Sequence, residues 1–170
     1  MEDQPNDTRG ANIVIREAIP QDYDSVVACL QEWWAGEPLA GIVDMLPRLF
    51  FVHFRSTTFV AVQAGRVVGF VTGFLSQSAL GEAYIHFVGV NPAYRRQAVG
   101  ASLYERFCGT VAGMGRSVVR CVTRPTNHAS LSFHARMGFV VEGRVTDYDG
   151  PGNDRVLLTR RLVGEGSCST

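Results

Sequence analysis

Apolar residues recur along this chain in two rhythms, and the switches between them mark its elements. Ile13, Val14 and Ile15 make a short β-branched run, the composition of a strand. After Pro20, suited to a first helical turn, Val26, Val27, Leu30 and Trp34 fall at helical spacing and predict a first helix. A second helical stretch is expected after Pro38, with Ile42, Met45, Leu46, Leu49 and Phe50 as its stripe. Residues 57–63 and 67–76 read as the strands of a hairpin turning at Ala64-Gly65-Arg66, and 83–90 as a third strand. Segment 91–100 leads into a helix whose Val99, Leu103, Phe107 and Val111 lie four apart, closed by Gly113 and Gly115. Residues 117–123 form another strand. Thr126 and Asn127 open a last helix after Pro125; it ends at Gly138, a residue suited to a left-handed cap. Strands 139–145 and 155–162 close the chain around the turn Asp149-Gly150-Pro151-Gly152. The order β-α-α-β-β-β-α-β-α-β-β is mixed α/β, without internal repeat or linker. It predicts a single domain over residues 12–163, with a disordered tail at 1–11 and a flexible one at 164–170.

Composition supports one globular domain: of 170 residues, 46% are hydrophobic and 19% charged, against the low hydrophobicity and high net charge of disorder. The formal net charge of +0 hides an asymmetry. Residues 1–85 carry five arginines against ten acids, and residues 86–170 carry eleven against six. Stretch 95–136 alone holds seven arginines and one acid, Glu105. This balance argues against a broadly basic nucleic-acid binder and leaves room for a local anion site. No lysine occurs anywhere, which excludes a Walker phosphate loop. The acidic start lacks a signal-peptide pattern, and no apolar run approaches the ~18 residues of a membrane span. Cys29, Cys108, Cys121 and Cys168 show no C-x-x-C spacing. Free thiols in a reducing cytosol are expected rather than disulfides or a zinc site. The expectation is a cytoplasmic protein with no metal and no membrane or nucleic-acid partner.

The chemistry concentrates where strand 83–90 passes into the next helix. A helix N-terminus offers unpaired N–H groups and a positive dipole end to an anion. Here Arg95-Arg96-Gln97-Ala98-Val99-Gly100-Ala101 supplies two forked guanidiniums and small residues that let a phosphate approach. On its own, such a segment is equally an ordinary turn. It lacks the Gly-x-Gly-x-x-Gly of a dinucleotide loop.

The run from Ile85 through Val90-Asn91-Pro92-Ala93-Tyr94-Arg95-Arg96-Gln97-Ala98-Val99-Gly100 resembles the acetyl-CoA motif of the GNAT family of N-acetyltransferases. That motif is Arg/Gln-x-x-Gly-x-Gly/Ala. Asn127-His128-Ala129-Ser130-Leu131-Ser132-Phe133-His134-Ala135-Arg136-Met137-Gly138-Phe139 resembles that family's Asn-x-x-(Ala/Ser)-x-x-Phe-Tyr-x-x-x-Gly-Phe helix. The element order is similar from Ile13 to Leu162. Two departures stand out: Ala98 takes a usual glycine position, and His134 a usual tyrosine one.

The resemblance implies a single-domain GNAT fold with a mixed sheet of about seven strands and about four helices, binding acetyl-CoA as co-substrate without a metal. It places the acyl donor against Val88, Gly89, Val90, the loop from Arg95 to Ala101, Asn127, Ser130, Phe133 and His134. With regular pairing, Glu82, Tyr84, His86, Val88 and Val90 share one strand face. The resemblance places His86 where some members carry a catalytic glutamate, which makes it the first candidate for general base and Glu82 the second; a packing or water-orienting role for His86 is the alternative. His134 is the candidate general acid, and Asn127 a cofactor contact or a plain N-cap. Glu32, Trp33, Trp34, Glu37 and Asp44 are candidates for the acceptor side, with Trp34 on the apolar stripe. The implied activity is acetyl transfer from acetyl-CoA to a primary amine, of a small molecule first. A protein N-terminus, a lysine, a longer acyl donor or a non-catalytic acyl-CoA-binding module are the alternatives. A homodimer is possible by analogy.

Overall fold

Seven strands hydrogen-bond into one sheet in the order β1-β2-β3-β4-β5-β7-β6, in a computed structural model that describes residues 12–34 and 39–162. The expected tails, Cys168 and Glu37 lie outside the described residues. The strands are β1 (Val14–Glu17), β2 (Thr58–Gln63), β3 (Arg66–Leu75), β4 (Glu82–Val90), β5 (Val118–Thr123), β6 (Val140–Val145) and β7 (Arg155–Arg161). The helices are α1 (Asp22–Trp33), α2 (Leu39–Asp44), α3 (Leu49–Val52), α4 (Val99–Gly113) and α5 (His128–Arg136).

The expected second helix is two short ones. Pro47, between them, has no N–H to continue a helix and biases Leu46 away from helical geometry. On α1 the buried positions are Asp22, Val26, Leu30 and Trp33. Trp33, not Trp34, thus completes the stripe, and Trp34 lies past the helix end. The β2–β3 turn needs only Ala64 and Gly65, both at positive φ (47° and 76°), the signature of a type I′ hairpin.

The sheet separates two apolar cores. α4 and α5 cover one face, where Leu103, Tyr104, Phe107 and Val111 are fully buried against Phe59, Val71, Ala83 and Ile85. α1, α2 and α3 cover the other, around Leu30, Leu46, Phe51 and Phe70. Each such large apolar side chain contributes roughly 1.5–3 kcal/mol. α4 lies so close to the sheet that a Cβ on Gly73 would stand 2.5 Å from Phe107 and 2.4 Å from the Tyr84 carbonyl. Only glycine fits there.

Candidate functional site

Two irregularities in β4 create an opening in the sheet. β4 pairs with β5 in parallel only through Glu82–Val118, Ala83–Val119 and Tyr84–Arg120. Beyond Tyr84 the two strands part, while β4 continues to Val90 against β3. Between these strands the register steps from Gly73–Ile85 to Thr72–Phe87. His86 is therefore an extra residue, a β-bulge.

The bulge reverses the side-chain alternation, so the expected common face of Glu82, Tyr84, His86, Val88 and Val90 does not form. Tyr84 stacks on Phe74 at 5.4 Å and His86 on Phe50 at 4.8 Å, both on the α1–α3 side. Val88 and Val90 pack into the α4–α5 core instead. Main-chain direction follows from the same register. Asn91 N–H donates to the Val68 carbonyl at 3.0 Å. Two-residue alternation then turns the amides of Phe87 and Gly89 toward β3, and those of Val88 and Val90 away from it, into the opening.

The anion loop sits at the end of β4. Asn91 caps a 3-10 turn at Pro92–Tyr94 by accepting the Ala93 N–H at 2.9 Å. α4 then begins at Val99 behind Ala98, whose φ of 58° and ψ of 9° are left-handed. A residue other than glycine in that conformation is strained by roughly 1–2 kcal/mol. The helix start has no side-chain cap. The N–H groups of Val99, Gly100 and Ala101 have no acceptor among the described residues. Arg95 and Arg96 are exposed and form no ion pair among the described residues. Uncapped N–H groups beside two free guanidiniums fit a pyrophosphate. α5 packs on this turn through Phe133, whose ring a Cβ on Gly100 would meet at 3.4 Å, an ordinary contact.

On α5, Asn127 is the N-cap, accepting the Ser130 N–H at 3.0 Å, which satisfies one of the orphan donors of the first turn. His134 is buried, at 4% exposure. Its Nδ1 lies 2.8 Å from the Ser130 carbonyl oxygen and 3.2 Å from the Ser130 hydroxyl. Its Nε2 is 2.9 Å from the Tyr104 hydroxyl. A carbonyl can only accept, so Nδ1 carries the proton and Nε2 accepts from Tyr104. Burial pushes the imidazole below its ordinary pKa, partly opposed by the Ser130 hydrogen bond. In this neutral ring both nitrogens are engaged, one donating to Ser130 and the other accepting from Tyr104.

Glu82 is held in an ion pair. Both of its oxygens bind Arg120, at 2.6 and 2.9 Å, and Arg120 further pairs with Glu142. The hydrogen bonds from Arg120 hold the Glu82 carboxyl below the usual carboxylate range, which makes it a weak proton acceptor. His86 is different. It is exposed beside the opening, and its Nε2 lies 2.7 Å from the Met45 carbonyl oxygen. That nitrogen must donate, which leaves the lone pair of the neutral ring on Nδ1.

Of the acceptor-side candidates, Trp33 is core and stacks on Phe70, while Trp34 packs against Phe87. Glu32 and Asp44 are exposed. Glu32 lines a groove of about 860 Å³ with Arg66 and Tyr94, apart from His86. Two features had no sequence signal: the bulge, and the pairing of Tyr104 with His134.

Residues 23–139 match the model of the acetyltransferase (GNAT) family. Over 82 residues the chain is 33% identical to the L-2,4-diaminobutyric acid acetyltransferase of Nocardia farcinica. That match covers 48% of this chain and 42% of the relative, so it spans less than half of the curated enzyme's length. Among solved structures, Ard1 from Thermoplasma volcanium superposes with a TM-score of 0.71 at 27% identity, over 89% of this chain and 98% of its own. The diaminobutyrate acetyltransferase EctA from Paenibacillus lautus, solved with its substrate and coenzyme A, shares the fold at a TM-score of 0.71 and 17% identity. It covers 93% of this chain and 100% of its own. No helix among the described residues is long and apolar enough to cross a membrane. With the family model covering more than half of its length, the chain belongs to the acetyltransferase (GNAT) family.

Proposed function

We propose that this enzyme acetylates the primary amine of a small molecule, with His86 as general base. The observation that carries the reading is the bulge at His86 beside the opening between β4 and β5. It sets an exposed imidazole on one side and the inward-turned main chain of Val88 and Val90 on the other. The pyrophosphate of acetyl-CoA rests on the N–H groups of Val99, Gly100 and Ala101, with Arg95 and Arg96 on its oxygens. The acyl arm runs along Val88 and Val90, whose amides bind the pantetheine and polarise the thioester carbonyl. The amine attacks that carbonyl, and His86 Nδ1 takes its proton, directly or through one water.

A small-molecule acceptor is supported by the curated relative, which is named for diaminobutyrate. Thiol release from acetyl-CoA, followed against a panel of diamines, amino acids and peptides, tests the reading. Turnover with small amines and none with peptides is expected; turnover with peptides alone overturns it.

A further inference from the structure

The side chain at the α5 position of the family's tyrosine is buried and joins two helices. His134 accepts a hydrogen bond from Tyr104, which is fully buried on α4. Phe133, its neighbour, meets the Tyr104 ring edge-on at 5.0 Å and lies against Gly100. Through these contacts α5, whose N-terminal turn holds Asn127 and Ser130, is fixed against the first two turns of α4, which hold the proposed pyrophosphate donors. Phe139 closes the pocket at 5.3 Å from the His134 ring. The titratable groups packed around the pair are Tyr104 itself and the thiols of Cys108 and Cys121. Burial raises all three, Cys108 to about 11, so none supplies a proton near neutrality.

We propose that His134 is a positioning residue: by holding the Tyr104 hydroxyl it locks α5 onto the coenzyme-binding turn of α4, and it gives no proton to the leaving sulfur. This rests on the acetyl-transfer reading above. The step balances without an acid from α5. The amine nitrogen forms the new C–N bond and loses a proton to His86. The C–S bond breaks with its electron pair leaving on sulfur. The thiolate then takes a proton from solvent, and the His86 imidazolium returns one. An ordinary thiol pKa of ~8.5 makes a thiolate a tolerable leaving group near neutrality.

His134→Gln is the decisive variant, because its amide oxygen can accept the Tyr104 proton while the group cannot act as an acid. Its kcat and its Kd for coenzyme A are expected to stay within about threefold of wild type, with the alkaline limb of the pH–rate profile unmoved. His134→Phe and Tyr104→Phe are each expected to weaken coenzyme A binding by about tenfold, the equivalent of one lost hydrogen bond. Calorimetry on the two single variants and the double variant should show a combined loss smaller than the product of the separate ones.

A fall in kcat of about 100-fold or more in His134→Gln, as removal of a general acid produces, overturns the proposal, as do independent effects in the cycle. Thermal melts of His134→Gln and Tyr104→Phe identify a variant that fails to fold, and the other then decides. A wild type that binds coenzyme A but releases no thiol with any amine sinks the transfer reading instead. The calorimetric cycle still tests the lock in that case.

Discussion

His86 Nε2 lies 2.7 Å from the carbonyl oxygen of Met45, so one side chain both stands at the bulge and fastens the segment between α2 and α3 to the sheet. The two duties separate by substitution. His86→Gln keeps an N–H for Met45 but loses the basic nitrogen, and kcat should fall by about 10²–10⁴ with the KM for amine little changed. His86→Ala loses both, so the KM for amine should rise as well. Steady-state kinetics of the two variants side by side make the check; equal kcat in His86→Gln and wild type would remove His86 as base.

Ala98 holds a left-handed backbone at the head of α4. Ala98→Gly removes the strain of its Cβ, offset by the greater freedom of glycine in the unfolded chain. A net gain of roughly 0.5–1 kcal/mol is expected, seen as a thermal midpoint higher by about 1–4 °C. Ala98→Val, with a branched Cβ in the same conformation, should lower it. Coenzyme A titrations of the same variants show whether the loop binds pyrophosphate more tightly once the methyl group is gone.

Glu82 should matter for stability and little for catalysis. Its pKa is lowered by Arg120 from a starting value of 4.5. The stabilisation it supplies is therefore complete above that value and is lost as pH falls through the lower, folded one. Glu82→Gln should melt below wild type at pH 7, and the two curves should converge in acid. Its kcat should remain within about threefold of wild type, whereas loss of a general base costs at least about 10².

Gly73 is the tightest contact between sheet and helix. Gly73→Ala places a methyl group against the Tyr84 carbonyl and the Phe107 ring, and main-chain atoms cannot swing aside as a side-chain tip can. A loss of about 3 kcal/mol is expected, the upper end for overpacking. Urea denaturation measures it. A variant as stable as wild type would mean that α4 is free to lift from the sheet.

Local chemistry made most of this fold legible in advance. β-branched runs, a hairpin glycine within Ala64-Gly65-Arg66 and four-residue spacing from Val99 to Val111 are short-range signals, and the seven strands and α4 follow from them. The uncapped turn at Val99 was likewise visible as a run of small residues after two arginines. What stayed hidden depends on contacts far apart in sequence. The bulge exists because β3 and β4 fall out of step by one residue, and nothing in the run from Tyr84 to Val88 marks which residue is extra. His134 was legible as a residue of the last helix, but its hydrogen-bond partner, Tyr104, stands thirty positions earlier on another helix. Pro47 is the one local signal that was available and outweighed, because the apolar stripe ran through it.

The extra residue in β4 divides the labour of recognition between two kinds of atom. Before and at the bulge, the side chains of Tyr84 and His86 stand on the side proposed for the amine. After it, main-chain groups at Val88 and Val90, present whatever residue occupies those positions, turn toward the path proposed for the acyl donor. Substitutions at 84 and 87 can therefore reshape acceptor preference while the base at His86 and the donor track stay intact. A chain built in this way can change what it acetylates without relearning what it acetylates with.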